Sequence, residues 1–169
     1  MFDLQQIDLS SLIASNSFTL ACTLRTDGNG IAIQVEALGD TRASGYVFIN
    51  SKFATDLCRS LGVKPKRLPY TIYPKGFNGQ KGSPISQYFL LNIEIDSCRI
   101  SHIPMLIIEL DSHDMIIGRN FFDYFHILID VHDRRLQWLP EHPPTTSYSQ
   151  TVQTYFRDEI RPLPIQWQY

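Results

Sequence analysis

Cysteine is scarce in this chain, and its spacing excludes several kinds of site. The 169 residues include three cysteines, Cys22, Cys58 and Cys98, which lie far apart and form no Cys-x-x-Cys pair. This pattern argues against a disulfide framework and against a zinc or redox motif. We therefore expect three free thiols in a reducing compartment. The five histidines also show no metal-binding spacing, so we expect no metal and no cofactor.

An excess of positive charge is missing as well. The formal net charge is -2 at pH 7, which gives no basic field to attract a phosphate backbone, so nucleic acid is not an expected partner. No apolar run reaches the roughly 20 residues that a membrane-spanning helix needs. The first residues lack the basic, apolar and small-residue order of a secretory signal. We expect a soluble intracellular protein, cytoplasmic or nuclear, with no membrane partner.

The sequence is rich in short apolar stretches separated by turn residues. Alternating apolar and polar residues predict strands over 18–24, 31–38, 46–49, 70–73, 85–95, 103–110, 115–118, 127–131 and 135–139. A helix is predicted over 52–61, with Ser51 as its cap and Gly62 as its end, and a shorter one over 119–124. Many short strands with few helices favour an all-β barrel or sandwich.

Composition divides the chain into one domain with two flanking segments. With 43% hydrophobic residues in 169, the chain is long enough for one core of ordinary size. Residues 1–16 carry a weak apolar period that fits a short helix or an edge strand. Beyond residue 140 the run Glu-His-Pro-Pro-Thr-Thr-Ser cannot pack a core. We predict an N-terminal extension at 1–17, a folded domain at 18–140 and a polar and aromatic tail or linker at 141–169.

An acidic residue stands where a strand meets a loop. Asp40 follows the strand at 31–38 and begins the run Asp-Thr-Arg-Ala-Ser-Gly at 40–45. Taken alone, an acid at a strand end more often caps a turn than performs catalysis. The Gly-rich loop at 74–84 alone is more often a surface hairpin, and Ile-Ile-Gly at 116–118 alone is more often a buried strand meeting a helix.

The order of these three elements resembles the retropepsin-like aspartic protease domain of gypsy-class, fungal-type LTR retrotransposon polyproteins. The run at 40–45 looks like the family's catalytic loop, Asp-Thr/Ser-Gly-Ala-Ser-Gly after an apolar strand. Ile116, Ile117 and Gly118, followed by Arg119, look like its apolar-apolar-glycine motif and short helix. The resemblance spans about residues 18–140, and its specificity comes from the ordered combination. It implies a mainly β, closed retropepsin-like barrel with one or two short helices, acting as a homodimer.

The resemblance also implies a reaction. One Asp-Thr loop supplies one carboxylate, whereas aspartic proteolysis needs two that share a proton, so the domain would pair as a two-fold dimer. Two copies of Asp40 would activate water for hydrolysis of a peptide bond, and the Thr41 hydroxyl would bond across the dimer axis. The implied partners are a second copy of the chain and a polypeptide substrate in an extended conformation.

Further positions take supporting roles by the same resemblance. Ala43 would lie near the substrate backbone, and Gly118, supported by Ile116 and Ile117, would leave room for the catalytic loop. Arg119 would hold that loop or the dimer interface rather than touch substrate. The tip of the flap, the hairpin that closes over a bound peptide, would consist of Gly76, Phe77, Asn78 and Gly79.

Two residues depart from the family pattern. Arg42 replaces a glycine, which is used where the backbone approaches another group closely. Two arginines, one per subunit, could block the cleft, and a cation within about 4 to 6 Å would oppose the shared proton; an outward-pointing side chain would be tolerated. Gly39 replaces a larger apolar residue, so we expect looser packing behind the site.

Two other functions remain open. Arg42 favours a catalytically inactive retropepsin-like fold that serves as a peptide-binding or dimerisation module. The third hypothesis is an unrelated small β-barrel that binds a partner through its Gly-rich hairpin. That hypothesis requires Asp40 to be buried in a turn, far from any two-fold axis.

Overall fold

Alternating apolar residues build the strands of this domain. The computed structural model describes residues 18–28, 30–74 and 82–138. In chain order the elements are β1 (Thr19–Arg25), β2 (Ala32–Asp40), β3 (Val47–Asn50), α1 (Ser51–Leu61), β4 (Lys66–Ile72), β5 (Ile85–Ile95), β6 (Cys98–Ile108), β7 (Met115–Gly118), α2 (Arg119–Tyr124), β8 (Ile127–Asp130) and β9 (Arg135–Trp138).

Six of the strands close into a barrel. The order β1-β2-β7-β3-β6-β5 is completed by pairing of β1 with β5, and β4 extends the sheet beyond β5. β8 and β9 form a separate two-stranded sheet. Closure pairs both edges of all six barrel strands. The prediction of a mainly β closed barrel with one or two short helices is confirmed.

One strand crosses over to enter the middle of the sheet. β7 lies between β2, to which it is parallel, and β3, to which it is antiparallel. In this register Asp40 at the end of β2 is the partner of Gly118 at the end of β7. The crossover therefore brings together two motifs that are far apart in the sequence.

The buried apolar side chains form two groups. The main core fills the barrel and extends under α1 and α2, where Leu57, Leu61 and Phe121 are buried. The second group, which we call the floor cluster, consists of Ala43, Phe48, Leu68, Ile85, Leu106, Ile108 and Ile116. Leu38, Ile72, Tyr88 and Leu110 pack against the floor cluster and are partly buried.

The start of α1 differs from the prediction. Ser51 is the first helical residue and not the cap; the cap position is Asn50, whose side chain makes no capping hydrogen bond. The Ser51 hydroxyl instead donates to Glu109 Oε1 at 2.6 Å, and Asn50 Oδ1 accepts from the Leu110 N–H at 3.3 Å. The predicted end is confirmed, because Gly62 has φ +67 and donates its N–H to the Cys58 carbonyl.

Two strands are longer or shifted relative to the prediction. β4 begins at residue 66 and not 70, because Pro69 lies on a strand that pairs on one side with β5, where a missing N–H is tolerated. β6 begins at residue 98 and not 103. Asp96 and Ser97 have φ of 52° and 63° and form the tight turn that joins β5 to β6.

The cysteines lie apart from one another. Cys22, Cys58 and Cys98 are free thiols. Burial, followed by the charge of Asp96, raises the pKa of Cys22 to about 12, so this thiol is protonated and unreactive at neutral pH.

Within the described residues, no helix has the length and apolar character needed to cross a membrane.

A polar cluster ties the β1–β2 turn to the β5–β6 hairpin. Asp27 accepts a hydrogen bond from Asn92 at 2.8 Å and lies 2.6 Å from His102 Nε2. The His102 backbone N–H donates to Asn92 Oδ1 at 3.0 Å, which holds His102 at φ 57° inside a strand. The hydrogen bond from Asn92, followed by that from His102, lowers the pKa of Asp27 below its ordinary value.

The Asp27 cluster makes the stability of the domain depend on pH. Because the folded-state pKa of Asp27 is depressed, its carboxylate stabilises the fold above the unfolded-state pKa, and this contribution is lost as the pH falls through the folded value. Asp27→Ala should lower the free energy of unfolding by about 0.2–1 kcal/mol at neutral pH, since these side chains are screened by solvent.

Urea denaturation of the parent and of Asp27→Ala at neutral pH and at about pH 3 checks this. The difference in free energy of unfolding between the two proteins should be smaller at the lower pH. Asn92→Ala removes the largest cause of the depressed pKa and should weaken the pH dependence. A difference between parent and Asp27→Ala that is the same at both pH values would contradict the assignment.

Candidate active site

Asp40 is a nearly buried carboxylate at the end of a barrel strand. Its side chain is 5% exposed. Oδ1 accepts a hydrogen bond from the backbone N–H of Arg42 at 2.9 Å, while Oδ2 is buried and has no hydrogen-bond partner among the described residues. A buried carboxylate oxygen without a partner is costly to the fold and calls for an explanation. A ligand or substrate group that hydrogen-bonds Oδ2 would supply one.

The loop that follows Asp40 is clamped by the start of α2. The N–H groups of residues 118, 119 and 120 donate to the carbonyls of residues 46, 43 and 45 at 2.8, 2.9 and 3.0 Å. A Cβ at Gly118 would collide with the carbonyl oxygen of Gly45 and lie 2.9 Å from that of Ala43. Glycine at 118 therefore allows a close backbone contact that fixes the loop beside Asp40.

The two isoleucines before Gly118 face opposite sides of β7, as expected for consecutive residues of a strand. Ile117 is buried in the main core. Ile116 belongs to the floor cluster and lines a cavity next to Asp40. The strand thus connects the core of the barrel to the surface of the site.

Arg42 keeps the backbone geometry of the loop and adds a cation to it. Its φ is not positive, so the conformation does not require glycine. The Arg42 Nε lies 3.4 Å from Asp40 Oδ1, and the side chain is 62% exposed. The guanidinium therefore faces the carboxylate and does not turn away from it, and because it is mostly in solvent this pair is screened.

The expectation of looser packing at Gly39 is wrong. A Cβ at this position would lie 2.7 Å from Phe18 Cδ1 and 3.5 Å from Phe122 Cζ. The Gly39 N–H also donates to the Phe18 carbonyl at 2.8 Å. The ring of Phe18 therefore occupies the space that a larger residue at 39 would fill.

A cavity of about 650 Å³ opens beside Asp40, a volume typical of ligand sites. Residues 38–42 form one wall, and the loop at 108–113 forms another. Pro74, Gly82 and Ser83 form a third. The Gly82 N–H donates to the Pro74 carbonyl at 2.7 Å, so these two residues meet at this cavity.

The other predicted site residues lie as follows. Thr41 is exposed and lines the cavity. Ala43 is buried in the floor cluster, and its N–H donates to the Asp40 carbonyl, so its contact with a substrate stays a prediction. Arg119 donates from Nη2 to the Ser44 hydroxyl at 3.0 Å and thereby holds the loop. The residues predicted to form the flap tip, Gly76, Phe77, Asn78 and Gly79, lie outside the described residues.

Several cavity residues were not anticipated from the sequence. Phe18, Glu109, Asp111 and His113 all line the cavity. Their signal in the sequence is weak, because Glu109 and Asp111 lie at the end of a predicted strand, a position where acidic residues are common in ordinary turns. In the described part of the chain, no group of three or more His, Cys, Asp or Glu side chains is placed to hold a metal ion.

Comparison with known proteins supports the fold. No family model matches the chain, and no curated protein matches it either. The crystal structure of the retroviral protease-like domain of Ddi1 from Leishmania major is similar to it, with a TM-score of 0.51 and 16% sequence identity over 80% of this chain and 98% of that one. The chain therefore has a retropepsin-like fold. This structural similarity does not test the predicted origin of the chain in a gypsy-class retrotransposon.

The contact at Gly118 predicts a specific sensitivity. Gly118→Ala should lower the free energy of unfolding by about 1–3 kcal/mol, because the added methyl group displaces the carbonyls of residues 43 and 45. Gly30→Ala is the matched control, since a Cβ there would have no neighbour within 4 Å and φ is not positive. Urea denaturation of both variants measures the effect, and equal losses would contradict this account.

Proposed function

We propose that the chain is a retropepsin-like aspartic endopeptidase that acts as a homodimer. The observation that carries the proposal is the Asp40 carboxylate, which is nearly buried at the end of β2, beside a cavity of about 650 Å³, and has one oxygen with no hydrogen-bond partner among the described residues. Aspartic proteolysis needs a second carboxylate that shares a proton with the first. In the proposed dimer, Asp40 of the partner subunit supplies it.

The reaction follows from two carboxyl groups that hold one proton. The ionised carboxylate takes a proton from water, and the water oxygen forms a bond to the carbonyl carbon of the substrate. The protonated carboxyl gives its proton to the carbonyl oxygen. When the carbon–nitrogen bond then breaks, the amide nitrogen receives a proton from the dyad and leaves as an amine, while one hydroxyl of the tetrahedral diol returns its proton to the dyad and becomes the carbonyl of the acid product. No covalent intermediate with the protein forms.

The proposed substrate is a polypeptide in an extended conformation. Three segments of the chain, one of which contains Asp40, line the cavity, and an extended peptide adds backbone hydrogen bonds of the β type. Pro74 and Gly82, which flank residues 75–81 in the sequence, both line this cavity, which supports the proposed role of 75–81 as the flap. A retrotransposon polyprotein is the proposed source of the substrate, and this rests on the sequence resemblance.

Arg42 favours a second candidate function. Its Nε lies 3.4 Å from the carboxylate on which the peptidase proposal depends, and in a dimer the site would contain two such arginines. A guanidinium at this position competes with water and with the substrate carbonyl for Asp40. The second candidate is therefore an inactive retropepsin-like module that binds peptides or dimerises.

The first test is cleavage of a mixed peptide library between about pH 4 and pH 7 by the parent and by Asp40→Asn, each confirmed to be folded and dimeric by ultracentrifugation. Asp40→Asn should lower kcat/KM by about 10²- to 10⁴-fold, because the amide can neither accept nor share the proton. Asp56→Asn, on the exposed face of α1, is the matched control and should keep the parent rate. Equal cleavage by parent and Asp40→Asn would rule out the peptidase.

The second test compares Arg42→Gly with Arg42→Lys. Arg42→Gly should raise kcat/KM by about tenfold, a change that corresponds to ~1.4 kcal/mol for one lost contact to the carboxylate. Arg42→Lys keeps a cation and should stay near the parent. If the parent is inactive and Arg42→Gly cleaves peptides in an Asp40-dependent manner, the second candidate holds. A lower rate for Arg42→Gly would show that the arginine assists the reaction.

A further inference from the structure

The cavity beside Asp40 combines an apolar base with an acidic margin. Ile108 and Ile116, which belong to the floor cluster, line it together with the half-buried Leu38 and Leu110 that pack against that cluster. Glu109 and Asp111 line the same cavity and are exposed. We call these two carboxylates, which come from the loop between β6 and β7, the acidic rim.

The loop that carries the acidic rim is held against the end of β3 and the start of α1. Glu109 accepts a hydrogen bond from Ser51 at 2.6 Å. The Leu110 N–H donates to Asn50 Oδ1 at 3.3 Å, and the Asn50 N–H donates to the Asp114 carbonyl at 2.9 Å. These contacts fix the loop at both ends, so the rim keeps its place relative to the cavity before a ligand binds.

The charges around the cavity do not balance. Among its described lining residues, three are carboxylates and one is a guanidinium. The guanidinium, that of Arg42, faces Asp40 at 3.4 Å on the other wall. Glu109 accepts a hydrogen bond from the neutral hydroxyl of Ser51, which does not offset its charge. The rim therefore presents negative charge above an apolar surface.

An independent feature of the same cavity points to a ligand. Asp40 is 5% exposed and lines the cavity, and its Oδ2 has no hydrogen-bond partner among the described residues. A group that enters the cavity and hydrogen-bonds this oxygen would bring its neighbouring atoms over the apolar base. The acidic rim lines the same cavity that those atoms would occupy.

We propose that the acidic rim selects substrates with an arginine or lysine side chain next to the bond that is cut. This inference rests on the proposed peptidase function and names its substrate class. Long basic side chains bury their aliphatic stems on apolar surface while the charged head stays at a polar edge. Here Leu110 and Ile108 would contact the stem, and Asp111 and Glu109 would pair with the head. Arginine can engage a carboxylate through two parallel hydrogen bonds.

The test uses octapeptides that differ at one position beside the scissile bond. The position carries arginine, lysine, norleucine or glutamate, where norleucine keeps the aliphatic stem and lacks the charge. The parent should cleave the arginine and lysine peptides with a kcat/KM at least about tenfold above that of the norleucine peptide. The ratio should fall as salt is added, because exposed charge pairs are screened.

Variants of the acidic rim assign the preference to its carboxylates. Asp111→Asn should reduce the ratio between arginine and norleucine peptides, and Glu109→Gln combined with Asp111→Asn should bring it close to one. Asp111→Lys should favour the glutamate peptide over the arginine peptide, which is a gain that misfolding cannot produce. Asp56→Asn, on the exposed face of α1, is the matched control and should keep the parent ratio.

A binding measurement separates this inference from the proposed activity. Fluorescence anisotropy of the labelled octapeptides with the Asp40→Asn variant reports recognition without cleavage. If no peptide is cut by the parent but the arginine peptide binds more tightly than the norleucine peptide, the peptidase fails and the basic-side-chain site stands. If peptides are cut without a preference for basic side chains, the proposed peptidase activity stands and the proposed selectivity of the acidic rim is overturned. If the experiments show no cleavage and no charge-dependent binding, both proposals are overturned.

Discussion

The geometry around Asp40 depends on a contact between two stretches of backbone. The N–H groups at the start of α2 donate to the carbonyls of the loop at 43–46, and this is possible because Gly118 has no Cβ to keep the segments apart. The same glycine is the register partner of Asp40 in the parallel pair β2–β7. The position of this loop and the placement of the carboxylate therefore both depend on one close approach of backbone.

The two oxygens of Asp40 have different surroundings as a result. Oδ1 is held from within the loop by the Arg42 N–H and faces the arginine side chain, whereas Oδ2 has no partner among the described residues. The first contact fixes the direction of the carboxylate, and the second oxygen keeps its capacity to accept a hydrogen bond. A fixed group with unused bonding capacity is the arrangement that general acid–base chemistry requires.

Features encoded by local sequence could be predicted, and features that depend on distant partners could not. The strand before Asp40 could be predicted because alternation is a local signal, whereas the role of Gly118 was predicted only through the ordered motifs of the family resemblance. The failure at Gly39 has a tertiary cause, since Phe18 fills the space. The role of Ser51 was missed because Glu109, its partner, lies on another element. The first half of β6 was missed because His102, at φ 57°, breaks the strand alternation.

Separation of the buried residues into two groups has a consequence for how such a chain can diversify. The floor cluster shapes the cleft next to Asp40, while the main core fills the barrel and anchors its helices. The two groups include consecutive residues of one strand, such as Ile116 and Ile117, whose side chains lie on opposite faces. A lineage can therefore change the side chains beneath its cleft while the larger group of buried residues, on the other face of the same strands, stays the same.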